Sequence, residues 1–249
     1  MSSSKPDLLI DHGNSRIKWA LSGGGAWSRG EPIEYRGERT DFSALESIEA
    51  PQSILVSNSA GSQALACLED FCESQWCLKP RILRAKSAQC GVTNSYVEPE
   101  SLGSDRWLAL IAARQLWQDP LAVIDCGTAI TCDALSAEGV FLGGVISAGP
   151  DAATQALLSK AAHLDLDEMR YTGVFNTDTS SAVSSGSLVF TIGGIERVLT
   201  EFQSKLGKGC RVLMTGGWAE TLTPLMTIDA RVYPDLVLQG IQVVVGQES

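Results

Sequence analysis

Histidine is nearly absent from this chain: two residues in 249, at positions 12 and 163. No G-x-S-x-G and no H-E-x-x-H segment occurs, so neither a serine-hydrolase triad nor a zinc protease is expected. Seven cysteines stand at 67, 72, 77, 90, 126, 132 and 210 without a C-x-x-C pair. The spacing of Cys67, Cys72 and Cys77 matches no common zinc site, and reduced thiols, buried or half-buried, are expected. Apolar runs such as Val243–Val245 are far shorter than a bilayer span. The opening MSSSKPD has one Lys and no apolar segment, so no secretory signal is expected and a cytoplasmic protein is. Basic residues number 19 against 29 acidic ones, a net charge of −10, the wrong sign for a general nucleic-acid binder. The common nucleotide signatures are missing too. Gly207-Lys208 is followed by Gly209 with no upstream glycine for a P-loop, and Gly23–Gly25 does not complete G-x-G-x-x-G.

What is present is an ordinary globular composition, 44% apolar and 19% charged, in a chain long enough for one large domain or two smaller ones. Asp7–Ile10 reads as a short strand broken by Asp11-His12-Gly13-Asn14-Ser15, with a second strand over Arg16–Leu21 and a Gly-rich connection over 22–25. Ser53–Ser57 reads as a buried strand, a helix follows from about Ser62 to Glu73, and Arg81–Ala85 is another strand candidate. Asn94–Gly103 is an irregular loop with Tyr96 and Pro99, and Ser104-Asp105-Arg106 opens a helix whose Trp107, Leu110, Ile111 and Arg114 recur at helical spacing. The opening pattern then returns: Leu121–Ile124, Asp125-Cys126-Gly127-Thr128-Ala129, Ile130–Leu135, and a third strand over Val140–Ile146. Helix is expected from Pro150 to about Arg170, and over Ser180–Phe202 with an interruption at Gly193-Gly194. Leu236–Val245 fits a buried helix or strand equally.

Asp125 stands 114 residues after Asp11 (125 − 11), and each lies in the same strand, D-x-G turn, strand order. Two such halves suggest two lobes facing a cleft. Glycine in these turns lets backbone N–H groups approach a phosphate, and Asn14, Ser15 and Thr128 add donors. A carboxylate beside them repels phosphate directly, yet suits a hydrated Mg²⁺ or another bridging cation. Lys18 lies where it would neutralise phosphate charge. A lone D-x-G is a common turn, but two of them between apolar strands point to phosphate handling, and a kinase that moves the γ-phosphate of ATP to a small alcohol is expected. Asp105 admits two readings: an acid favoured at a helix N-terminus, or a general base on the substrate hydroxyl, with Arg106 holding an acidic group of that substrate.

These segments resemble the type III pantothenate kinases, members of the acetate and sugar kinase, Hsp70 and actin superfamily. Six stretches carry the resemblance in order: Asp11–Lys18; Tyr96, Pro99 and Leu102–Trp107; Asp125–Asp133; Gly143–Ile146 with Gly149; Asn176-Thr177 with Gly186; and Thr215-Gly216-Gly217. The resemblance implies an α/β fold of two ribonuclease-H-like (actin-like ATPase) lobes, each a mixed β-sheet with flanking helices around a cleft, here given the bounds 1–118 and 119–249. It implies that Asp105 is the base on the pantothenate hydroxyl and that Tyr96, Gly103, Ser104, Arg106 and Thr177 line the pantothenate site. Asp11, His12, Gly13, Asn14, Ser15, Arg16, Ile17, Lys18 and Thr128 would bind ATP. Asp125 would hold a monovalent cation, K⁺ or NH₄⁺, beside the Mg²⁺ of the nucleotide, in a homodimer without nucleic-acid or membrane partners. Ser15 stands for the commoner Thr and Ala148 for a Pro. His12 occupies a variable position, where a neutral side chain pointing away is expected. A non-catalytic regulator of transcription on this fold, or a kinase for another small alcohol, are the alternatives.

Overall fold

Leu8, Leu9 and Ile10 are all fully buried, which successive strand residues achieve only when both faces of their sheet are covered. Their strand begins the computed structural model, which describes residues 5–24, 26–35, 40–160, 168–207 and 209–248. The order is β1 (Asp7–His12), β2 (Arg16–Gly23), β3 (Ala26–Arg29), β4 (Ile33–Glu34), α1 (Ser43–Glu46), β5 (Ile54–Asn58), α2 (Ser62–Trp76), β6 (Arg81–Ile82), β7 (Ala88–Gln89), β8 (Val92–Asn94) and α3 (Ser104–Leu116). Then come β9 (Leu121–Cys126), β10 (Ala129–Leu135), β11 (Val140–Ala148), α4 (Pro150–Leu158), α5 (Thr179–Leu206), β12 (Arg211–Thr215), α6 (Ala219–Leu222), β13 (Arg231–Val232) and α7 (Leu236–Glu248). The chain divides into two compact units, Met1–Leu116 with Asp235–Ser249, and Trp117–Pro234.

In the first unit the sheet order is β3-β2-β1-β5-β6, with β4 on β2. β1 is antiparallel to β2 and parallel to β5, and β5 is parallel to β6. Leu8, Ile10, Ile17, Trp19, Ile54 and Val56 pack on one face with Leu45 of α1 and Leu68 and Cys72 of α2. α7 contacts β1, β2, β5 and α3, which resolves the ambiguous run Leu236–Val245 as helix. A Cβ at Gly240 would fall 2.0 Å from the Leu108 carbonyl oxygen, so this glycine permits α7 to lie against α3. The last helix thus returns to the first unit, whereas the bounds read from the sequence put all of 119–249 in the second.

In the second unit the order β13-β12-β9-β10-β11 repeats the first. β9 is antiparallel to β10, β10 to β11, and β9 is parallel to β12 and β12 to β13. The duplication first visible around Asp11 and Asp125 therefore extends to five strands in each unit. Leu188, Ile192, Ile195 and Leu199 of α5 pack with Ile124, Ile130, Val212 and Met214.

Three expectations need correction. α5 runs unbroken through Gly193-Gly194. The two glycines cost about 1 kcal/mol each in a helix, less together than burying Leu188, Ile192, Ile195 and Leu199 returns, at about 1.5–3 kcal/mol per side chain. The helix expected as far as Arg170 ends at Leu158; residues 161–167 lie outside the described residues, and 168–178 are not helical. There the Arg170 and Thr172 N–H groups donate to Ser184 Oγ (2.5 Å) and Ser185 Oγ (3.0 Å) of α5. All seven cysteines are free thiols, but Cys67 and Cys77 are exposed rather than buried. No helix among the described residues is long and apolar enough to cross a membrane.

Candidate active site

Asp11 lies within β1, paired with Lys18 of β2 on one side and Ser57 of β5 on the other. Strand alternation puts these three side chains on one face, and directly opposed Cβ atoms in a sheet lie about 4.5–5.5 Å apart. A carboxylate, a cation and a hydroxyl thus adjoin the first D-x-G turn. The Gly13 N–H donates to Arg16 O at 3.2 Å, leaving Asn14 and Ser15 exposed at the tip.

His12 faces the other way, in the row of Leu8 and Ile10. It is fully buried, and neither ring nitrogen has a hydrogen-bond partner among the described residues. Burial lowers its pKa from 6.5 to about 4, so the ring is neutral at pH 7. Ile17 is also buried in this core. For both residues only the backbone belongs to the turn.

Next to Asp11, β5 ends against the start of α3. Ser57 Oγ lies 3.0 Å from Ser104 Oγ, and the Asn58 N–H donates to Ser104 Oγ at 3.1 Å. Asp105 follows, its Oδ1 accepting the Arg106 N–H at 2.8 Å. A Cβ at Gly103 would stand 2.6 Å from that same oxygen, so glycine keeps the carboxylate clear. Arg106 is buried, its Nη1 donating to the Tyr96 hydroxyl at 2.9 Å. The Tyr96 N–H in turn donates to Asn94 Oδ1 at 3.0 Å, and Asn94 Nδ2 to Pro99 O at 3.1 Å. Tyr96, Gly103, Ser104, Asp105 and Arg106 are thereby gathered at the N-terminal end of α3.

In the second unit Asp125 occupies the place of Asp11, paired with Thr131 of β10 and Thr215 of β12. The turn is one residue shorter: the Gly127 N–H donates to Ala129 O at 3.0 Å. Thr128 is exposed at its tip, and its carbonyl accepts the Gly149 N–H at 2.8 Å. Gly216 has φ +91°, and a Cβ there would lie 2.4 Å from Asp125 Oδ1; the conformation and the close approach both require glycine. Thr177 is exposed in this unit, on the loop before α5, where Asn176 Nδ2 donates to Gly173 O at 2.8 Å.

Sequence reasoning missed Ser57, Asn58 and Asn94. The signal for the first two was available, since polar residues end the apolar run Ile54–Val56 at the carboxyl end of a parallel strand, where α/β sheets place their ligand groups.

The structure of MreB 5 from Spiroplasma citri, solved with AMPPNP, matches with TM-score 0.54 over 98% of this chain and 97% of that one at 9% identity. A structure from Campylobacter jejuni described as a Baf family transcriptional activator matches with TM-score 0.60 over 97% and 98% at 20% identity. The fold is therefore that of the actin-like ATPases and sugar kinases. At the level of sequence, residues 7–201 match the type III pantothenate kinase family. The type III pantothenate kinase of Nitrosomonas eutropha is 39% identical over 95% of this chain and 93% of that protein. The chain belongs to the type III pantothenate kinase family.

Proposed function

We propose that this chain transfers the γ-phosphate of ATP to the hydroxyl of pantothenate, giving 4′-phosphopantothenate and ADP, the first step of coenzyme A biosynthesis. Family membership supports the reaction. The observation that carries the mechanism is the Ser57–Ser104 contact, because it ties the strand beside Asp11 to the residue preceding Asp105. In this reading Asp105 accepts the hydroxyl proton as that oxygen attacks the γ-phosphorus and ADP leaves. Tyr96, Gly103, Ser104 and Arg106, with Thr177, hold pantothenate, the guanidinium pairing with its carboxylate.

Asp11, Asn14, Ser15, Lys18 and Thr128 serve the nucleotide. Among the described residues no three His, Cys, Asp or Glu side chains converge. Mg²⁺ held by one carboxylate together with phosphate oxygens and water needs no such cluster, and in this reading Asp11 would hold it. Bound there, Mg²⁺ would neutralise phosphate charge. Asp125 would hold the monovalent cation, K⁺ or NH₄⁺.

A cytoplasmic homodimer belongs to the same reading. The second unit bears an apolar groove of about 640 Å³ lined by β11, α4 and α5. Val145, Leu157 and Phe190 along it are 47%, 50% and 84% exposed, the kind of patch that a second copy of the chain would cover.

The test is ADP release with a panel of small alcohols, Mg²⁺ and K⁺. Turnover that depends on pantothenate and is stimulated by K⁺ is expected. Absence of turnover with every alcohol would favour the regulator, and turnover with a different alcohol would reassign the acceptor.

A further inference from the structure

Beyond β3 the chain runs back along β2 as a strap that ends at the first phosphate turn. The Gly30 N–H donates to Trp19 O at 3.1 Å, and Trp19 Nε1 donates to Glu31 O at 3.0 Å. β4 then pairs Ile33 with Ile17 and Glu34 with Arg16. Tyr35 is the last described residue of this run. Its N–H reaches Ser15 O at 3.4 Å, and its hydroxyl donates to Gly13 O at 2.7 Å. Contacts from this single residue therefore bridge the turn on both sides of Asn14. The half-buried Tyr35 ring stands edge-on to His12, with centroids 6.1 Å apart.

We propose that Tyr35 is a positioning residue for the nucleotide, its hydroxyl fixing the Gly13 peptide and so presetting the N–H groups of the phosphate turn. The inference rests on reading that turn as the ATP turn. The peptide unit is planar and trans, so its C=O and the following N–H point in opposite directions. Holding the Gly13 carbonyl toward Tyr35 therefore directs the Asn14 N–H away from it. Without that hold, glycine has the widest backbone freedom of any residue. A cradle of N–H groups binds an anion well only when its dipoles are already aligned. Burial and the negative charge of Asp11 raise the Tyr35 pKa to about 12, so the hydroxyl keeps the proton it donates at neutral pH.

The experiment is Tyr35→Phe, which deletes one O–H and keeps the ring. Hydrogen exchange is measured on the ligand-free protein, on the peptide spanning Asn14 and Ser15, with KM for both substrates and thermal melting alongside. Faster exchange at the turn is expected, with KM for ATP raised about five-fold, the loss of roughly one hydrogen bond. KM for pantothenate should hold, and the melting temperature should move by no more than a few degrees. Unchanged exchange and unchanged KM for ATP would overturn the proposal. A melting temperature that falls while both KM values hold would overturn it too, leaving the ring as a space-filler. Wild-type protein without ATP turnover would instead sink the kinase reading, and the exchange result needs no ATP.

Discussion

The hydroxyls of Ser57 and Ser104 meet at 3.0 Å, and through that contact the carboxyl end of β5 fixes the first residue of α3. Ser57 is paired with Asp11 in the sheet, and Ser104 precedes Asp105 in the chain. A candidate metal carboxylate and a candidate base are thus set relative to each other by two serines in one compact unit. Phosphoryl transfer depends chiefly on such positioning, so the contact has kinetic as well as structural consequences.

Ser104→Ala removes the hydroxyl shared by Ser57 and the Asn58 N–H. Leaving part-buried groups unpaired costs about 1–3 kcal/mol, a drop of several degrees in melting temperature for a chain of this size. Turnover should fall more than either KM rises, because the helix still forms while Asp105 loses its register. Steady-state kinetics beside a thermal melt check this.

Asp105→Asn keeps the size and hydrogen-bonding reach of the side chain and removes its basicity. General base catalysis is worth about 10²–10⁴-fold, and kcat should fall by that order. Pantothenate binding, measured by calorimetry, should stay near the wild-type value. Near-normal kcat would move the base elsewhere.

Gly216→Ala places a methyl group where Asp125 Oδ1 already lies, at φ +91°. The strained backbone alone costs more than about 1 kcal/mol, and the displaced carboxylate should weaken the response to K⁺. Melting temperature and a K⁺ titration of activity read the two effects separately.

His12 makes acid stability depend on one buried ring. Its folded pKa of about 4 lies below the 6.5 of an exposed histidine, so the native state binds fewer protons than the unfolded chain between these values. The neutral ring's contribution is full above pH 6.5 and is lost as pH falls toward 4. The interval corresponds to on the order of 3 kcal/mol. His12→Leu keeps an apolar side chain of similar bulk and should flatten the stability profile across that window, measured by urea unfolding at several pH values.

Much of this was readable from residues because the two D-x-G turns and the Tyr96 to Trp107 stretch are local: each motif sits within one turn or one helix start. The repeat also foretold the twin sheets, since the same strand-turn-strand order recurs around Asp11 and Asp125. What failed was set by distant packing. The unbroken α5 depends on Leu188, Ile192, Ile195 and Leu199 packing on Ile124, Ile130, Val212 and Met214, strand residues that no window around Gly193 contains. The return of α7 to the first unit depends on Gly240 meeting Leu108, more than a hundred residues away in the chain. Tyr35 carried no motif and Ser57 only the polar end of its apolar run; pairing of β4 with β2 and of β5 with β1 brings them to the phosphate turn.

Pantothenate phosphorylation is tested by identifying the product itself. Wild-type protein incubated with ATP, Mg²⁺, K⁺ and pantothenate is examined by phosphorus and proton NMR. ADP and one phosphate monoester on the terminal hydroxyl of pantothenate are expected, in equal amounts. ADP formed without a pantothenate ester, or no ADP at all while the protein is folded, would contradict it.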